Sequence, residues 1–172
     1  EFICVIGESE DETRDRVVAI GHPKIRIIDS QWNENMQDRG FVYGQQKMIA
    51  QFNCTGDWAF YLEGDEVLHE SEVSNIRETM QTNLGDPEVE ALYFDFFHFY
   101  GTPNQMGIAG YRRAPRIIRN SIRSIAPDGL FWTVMDKNKR GRYPKAKHAG
   151  GNIYHYGHCR SVSKMAEKLK QV

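Results

Sequence analysis

Trp58-Ala-Phe-Tyr-Leu-Glu-Gly-Asp-Glu66 is an apolar run that ends in three acidic residues around one glycine. Trp58 to Leu62 has the length and bulk of a strand covered on both faces. Carboxylates crowded at the end of a buried strand repel one another, and burying them is costly unless something pairs with them. A divalent cation is one such partner. Hard Mg²⁺ or Mn²⁺ takes carboxylate oxygens and keeps coordination sites open for phosphate. Gly64, between Glu63 and Asp65, allows a tight turn and a close backbone approach. The plain alternative is a solvated acidic turn capping the next helix, and the Glu-x-Asp-Glu spacing alone does not separate the two.

Working outward, Phe2 to Ile6 reads as another buried strand. The polar turn Gly7 to Thr13 follows, where Ser9 or Asp11 is placed to cap a helix carrying Val17, Val18 and Ile20. Gly21 and Pro23 stop that helix, and Ile25 to Ile28 is a second strand. Ser30 to Gly40 is loop-like. Tyr43 to Asn53 reads as a helix with Met48, Ile49 and Phe52 on one face, and Ser71 to Met80 as a helix with Val73, Ile76 and Met80 on one face. Strand and helix thus alternate three times, which predicts an α/β layer structure with a mostly parallel sheet. In such a sheet the carboxyl ends of the strands share one edge, where ligands bind.

The second half has a different texture. Ala91 to Tyr100 is a strongly aromatic strand, whose Phe94, Phe96, Phe97, Phe99 and Tyr100 read mostly as core. Tyr111 to Arg123 is basic, Asp136 to His148 is a Lys/Arg-rich loop, Asn152 to Tyr156 is a short strand, and Ser161 to Gln171 is a helix. No internal repeat or low-complexity linker interrupts the chain, so residues 1–172 are expected to form a single domain.

Composition agrees with an ordinary globular chain: 172 residues, 40% hydrophobic and 26% charged. The formal net charge of -1 gives no global pull toward nucleic acid, which is not expected as a partner. Three cysteines without paired spacing argue against a disulfide framework and for a reducing compartment. A cytoplasmic protein is expected, with peripheral placement at the inner membrane as the other option, since no apolar stretch approaches the roughly 20 residues that span a bilayer.

The stretch from Tyr43 to Glu70 resembles the family 2 glycosyltransferases. Gln46-Lys47 matches that family's helix element, Thr55-Gly56-Asp57-Trp58 its turn, and Glu63-Gly64-Asp65-Glu66 its acidic motif. Cys4 to Arg14 is similar to the family's second strand and Ser-x-Asp-x-Thr turn. His98-Phe-Tyr-Gly101, Tyr111-Arg-Arg, Arg116-Ile-Ile-Arg119, Ile153-Tyr-His-Tyr-Gly157, Met165 and Lys168 extend the likeness in order along nearly the whole chain. The family's first strand has no counterpart before Glu1, which suggests a leading segment upstream. The aspartate that contacts the base is replaced around Ile6-Gly7, and Met48 stands where the family often has Asn.

The resemblance implies a GT-A fold, Rossmann-like, with a nucleotide-binding half over residues 1–90 and an acceptor-side half over residues 91–172. It implies metal-dependent transfer of a sugar, with inversion, from a nucleotide diphosphate donor to a glycan, lipid-linked or other hydroxyl acceptor. Asp65 would be the main ligand of a Mn²⁺ or Mg²⁺ ion, with Glu63 near the ribose and metal. Lys47 would face the diphosphate, and Ser9 and Asp11 would lie near the nucleoside. His155 could offer a neutral imidazole to the metal.

Glycosyl transfer also needs a base for the acceptor proton. Asp128, in Ala-Pro-Asp-Gly, ranks first, with Asp136 and His98 as rivals; its plainer reading is a β-turn aspartate before Gly129. Arg112, Arg113, Arg116 and Arg119 form a local basic patch, in which Arg112 and Arg116 are candidates to grip phosphate. A zinc site from His148, His155, His158 and Cys159 is a competing idea without a paired cysteine spacing. His155 and His158 would point to opposite faces of a regular strand, so their convergence on one ion needs a bend at Gly157. The rival class to an enzyme is a non-catalytic nucleotide-sugar or glycan-binding domain.

Overall fold

The computed structural model describes residues 1–9, 11–36, 40–108, 110–161 and 163–165. In chain order the elements are β1 (Phe2–Ile6), α1 (Thr13–Ala19), β2 (Ile25–Asp29), α2 (Phe41–Phe52), β3 (Trp58–Phe60), β4 (Glu66–Val67), α3 (Val73–Leu84), β5 (Ala91–Tyr100), β6 (Arg113–Arg119), β7 (Ser124–Ile125), β8 (Thr133–Met135), β9 (Gly141–Arg142) and β10 (Ala146–His158). They form two compact units: Glu1–Gly56 with Arg123–Arg142, and Asp57–Ile122 with Tyr143–Val172.

In the first unit β1 and β2 pair in parallel, with Phe2 opposite Ile25. The helix between them, α1, buries no residue, and its Val18 and the Ile20 that follows it are exposed. The strands β7, β8 and β9 form a small antiparallel sheet. The buried residues of α2 are Val42, Gly44, Lys47 and Gln51, whereas Phe52, expected on the buried face, is 77% exposed. The inward stripe is polar because it meets polar partners. Lys47 donates to the Gly129 carbonyl and lies over the Trp132 ring, 4.6 Å from its centroid. The amide of Gln51 donates to Ser124 Oγ at 2.9 Å and accepts from the Trp132 indole N–H at 2.7 Å. Gly44 lets this stripe come close, since a Cβ there would lie 2.2 Å from the Ala126 carbonyl oxygen.

The second unit is built on a five-stranded sheet ordered β3-β6-β5-β10-β4. Only β5 and β10 pair in parallel; the other three neighbouring pairs are antiparallel. Its core is Leu92, Phe94, Phe96, Ile117, Ile118, Ala149 and Ile153, with α3 packed on β10 through Ile76.

This corrects the expected fold. The chain is not a GT-A, Rossmann-like, mostly parallel sheet flanked by helices: among the described residues strand exceeds helix, 34% to 25%, and the main sheet is mixed. Residues along β5 and β10 alternate between buried and half-buried, the mark of sheets with one packed and one partly solvated face. The strand–helix order of the first half predicts a parallel neighbour for β3, but that neighbour is β6, antiparallel, from much later in the chain.

Asn152–Tyr156 is only part of a 13-residue strand, because Gly150-Gly151 adds an irregularity between His148 and Asn152 instead of an end. The basic stretch before it is held by acids: Lys145 pairs with Glu88, and Lys147 with Asp86 at 3.2 Å. Of the helix expected over Ser161–Gln171, residues 163–165 are helical, and residue 162 and those from 166 on, including Lys168, lie outside the described residues.

Candidate metal centre

The acidic motif folds as a tight turn. Just past β3, the Tyr61 N–H donates to the Arg116 carbonyl at 2.7 Å, and the Glu66 N–H then donates to the Glu63 carbonyl at 3.0 Å. Glu66 opens β4 directly opposite His155 of β10, and His155 lies opposite His98 of β5. The Tyr156 N–H closes onto the Asp65 carbonyl at 2.9 Å, which fixes Asp65 beside residues 155–157.

Arg116 neutralises part of this turn from within. The β5–β6 register shifts between Leu92 and Tyr93, which face Ile117 and Pro115, so Arg116 is the extra residue of a bulge. Bulges re-aim a side chain, and here the guanidinium is turned into the interior with no exposure. It donates to Glu66 from Nε at 3.0 Å and from Nη2 at 2.6 Å, and lies 3.5 Å from Glu63. The Phe96 ring lies 4.9 Å away, and Tyr111 Oη accepts at 3.4 Å. Burial pushes the Tyr111 phenol up, so it stays a neutral hydroxyl beside Arg116. Arg116 is therefore an internal brace for Glu66 in place of the solvent-facing phosphate grip expected from the sequence. One guanidinium against three carboxylates leaves the turn net negative.

Asp65 and Glu63 are the partly exposed acids of the turn, with side chains 30% and 36% exposed. Asp65 Oδ2 lies 3.7 Å from His155 Nε2, too long for a hydrogen bond. Burial, the largest cause, pulls the His155 pKa below 6.5, and His98 and His158 pull the same way against Asp65 and Glu66. His155 is thus neutral near pH 7. A Cβ at Gly157 would lie 2.4 Å from Asp65 Oδ2 and 2.6 Å from His155 Nε2. The space between carboxylate and imidazole is open only because residue 157 has no side chain. Cations bind such donors at about 2.0–2.2 Å, so a small side-chain rotation suits the pair to one.

Two residues sharpen the site. The β5–β10 register shifts between His155 and His158, so the bend anticipated at Gly157 is a bulge, and the two rings come within 5.2 Å. His98, read from sequence only as a rival base, bonds through Nδ1 to His155 Nδ1 at 2.9 Å and through Nε2 to the Tyr111 carbonyl at 2.8 Å. Ring nitrogens of His98, His155 and His158 lie within 4.8 Å of one another, but both nitrogens of His98 are engaged in those bonds. A signal for His98 was present: it shares the inward face of β5 with Phe94 and Phe96, and a histidine there needs partners. His148 is held elsewhere on β10, with Nε2 3.1 Å from Asp95, so the four-residue zinc idea does not assemble.

The other candidates divide between the two units. Exposed Arg112 and the partly exposed Glu63 belong to the second, with Asp65, Arg116 and His155. Ser9, Asp11, Lys47 and Asp128 belong to the first. Ser9 Oγ donates to Asp11 Oδ1 at 2.6 Å, and the Thr13 N–H donates to the same oxygen at 2.9 Å. Those bonds, Ser9 foremost, lower the Asp11 pKa to about 2. The Lys47 amine is buried on the Gly129 carbonyl. Asp128 Oδ1 accepts from the N–H groups of Leu130 and Phe131 at 2.9 and 3.0 Å, the turn geometry of its plainer reading. Asp136 likewise accepts from the Asn138 and Arg140 N–H groups, both at 2.8 Å.

Among the described residues no helix is long and apolar enough to cross a membrane. No protein-family model matches the chain, and no curated protein matches it.

Proposed function

We propose that the chain is a metal-dependent glycosyltransferase, moving a sugar from a nucleotide diphosphate donor to an acceptor hydroxyl, with Asp65 and His155 holding the cation. One observation supports this above the rest: a partly exposed carboxylate and an imidazole nitrogen lie 3.7 Å apart, across a gap that any side chain at Gly157 would close. When bound, the cation would supply electrostatic stabilisation of the negative charge on the departing diphosphate. Asp65 contributes a hard oxygen and His155 an uncharged nitrogen, a pair that suits Mn²⁺ better than Mg²⁺. Arg116 and Glu66 hold the turn rigid, so Asp65 is presented without reorganisation. Glu63, in the same turn, has exposure enough to meet the donor, and Arg112, next to Tyr111 in the chain, is exposed. That Cys4, Cys54 and Cys159 form no disulfide is in keeping with a cytoplasmic place of action.

The second reading is a non-catalytic nucleotide-sugar or glycan-binding domain. It is favoured by Asp128, whose Oδ1 already accepts two backbone N–H groups where a base for the acceptor was expected. The experiment is calorimetric titration of UDP and GDP, with and without Mn²⁺, into wild type and Asp65→Ala, followed by an assay of donor hydrolysis. Mn²⁺-dependent binding that is lost in Asp65→Ala, with hydrolysis, supports the transferase. Binding without turnover of any donor supports the second reading. No binding of either nucleotide by folded wild type sinks both.

A further inference from the structure

We propose that His98 is a positioning residue that sets the tautomer of His155, so that Nε2 of His155 meets Asp65 as a bare lone pair already poised for a metal. The inference rests on the reading of Asp65 and His155 as the cation pair, and the hydrogen bonds give it step by step. The Tyr111 carbonyl can only accept, so His98 Nε2, 2.8 Å away, carries a proton. In an uncharged ring Nδ1 of His98 is then the acceptor. His155 Nδ1, 2.9 Å from it, must donate, which leaves His155 Nε2 without a proton. That is the nitrogen on the Asp65 side.

The His98 ring has little freedom to reverse this order. It is 6% exposed. Phe96 stacks on it with centroids 5.7 Å apart, and Tyr111 meets it edge-on at 4.8 Å. The line Tyr111 carbonyl, His98, His155 thus does what a carboxylate or carbonyl does behind many metal-binding histidines. It fixes ring orientation and tautomer, a service whose loss costs about 10–100-fold in metal affinity. A lone pair facing a carboxylate is electrostatically unfavourable, and a cation with affinity for nitrogen relieves it.

The first test is a long-range ¹H–¹⁵N correlation of the imidazoles in the metal-free protein at neutral pH. His98 protonated at Nε2 and His155 protonated at Nδ1 is the expected result; His155 protonated at Nε2, or His98 protonated at both nitrogens, overturns the inference. The second is Mn²⁺ affinity by electron paramagnetic resonance. His98→Asn keeps an acceptor near the Nδ1 position and should bind within a few fold of wild type, whereas His98→Phe should lose about 10–100-fold. Should His98→Phe fail to fold, the spectrum of the wild type and the His98→Asn affinity still decide. Mn²⁺ binding with the reversed tautomer, or unchanged affinity in folded His98→Phe, removes this inference alone. No Mn²⁺ binding by the wild type removes the cation pair and this inference with it.

Discussion

Arg116 shows how one residue sets the character of the site. Because it is the extra residue of a bulge, its side chain turns inward and meets Glu66, and neither side chain of the pair has any exposure. A buried ion pair is weak evidence of net stabilisation, but removing one partner strands the other charge at a cost of about 3–5 kcal/mol. Arg116→Met should therefore lower unfolding free energy by about that much in urea denaturation followed by circular dichroism, and adding Glu66→Leu should recover most of it. A double variant as unstable as the single would mean that packing around Arg116, and not the stranded carboxylate, carries the effect.

His155 yields a prediction of opposite origin. Burial holds its pKa below 6.5, so the unfolded chain takes up the proton first as pH falls. The neutral ring's contribution is complete above about pH 6.5, declines as pH drops from there toward the lower folded value, and falls no further below it. Asp65, Glu66, His98 and His158 all act on this ring, so the component belonging to His155 is read as the difference from His155→Gln. The loss of stability between about pH 7.5 and 5.5 should be smaller in the variant. An equal loss in both proteins would assign the pH dependence to other groups.

Among the elements, β5 was the most legible: ten residues of bulky apolar character, bounded as the pattern predicts, over Ala91–Tyr100. The buried side of α2 was not. Period-3.6 reading selects apolar residues and so picked Met48, Ile49 and Phe52, while Lys47 and Gln51 turn inward because Gly129, Ser124 and Trp132 offer them partners that only the fold brings near. β10 illustrates the same limit, since its two irregularities are set by pairing with β5 and leave no mark in composition beyond glycine. The second of them makes Gly157 a sensitive position. Gly157→Ala asks for no left-handed backbone, and the atoms nearest the new methyl are the tips of Asp65 and His155. It should melt within a few degrees of wild type yet bind Mn²⁺ at least about tenfold more weakly, about 1.4 kcal/mol. Wild-type affinity in a folded Gly157→Ala would place any bound cation somewhere other than between those two groups.

At the scale of the whole chain, element order was legible from β1 to β3, whereas the strands β4 and β6 to β9, and the partnership of strands in the main sheet, were not. The parallel pair β1–β2 with α1 between is the local βαβ unit the alternation predicts. The main sheet depends on β6 inserting between β3 and β5, and on β4 reversing against β10, pairings between distant segments that hydropathy along the chain does not encode. Residues of the acidic motif were found by type and spacing. That Glu66 would face a guanidinium and Asp65 an imidazole depended on the turn and two bulges. A cation that binds only the folded chain must also stabilise it, by about 2.7 kcal/mol at a hundred times its dissociation constant. For a chain of this length that raises the melting midpoint by about 5–10 °C. Mn²⁺ should produce such a shift in wild type, chelation should reverse it, and Asp65→Asn should show little of it. A wild-type midpoint indifferent to Mn²⁺ would return the Glu63–Glu66 turn to its plainer reading as a solvated acidic turn braced by Arg116.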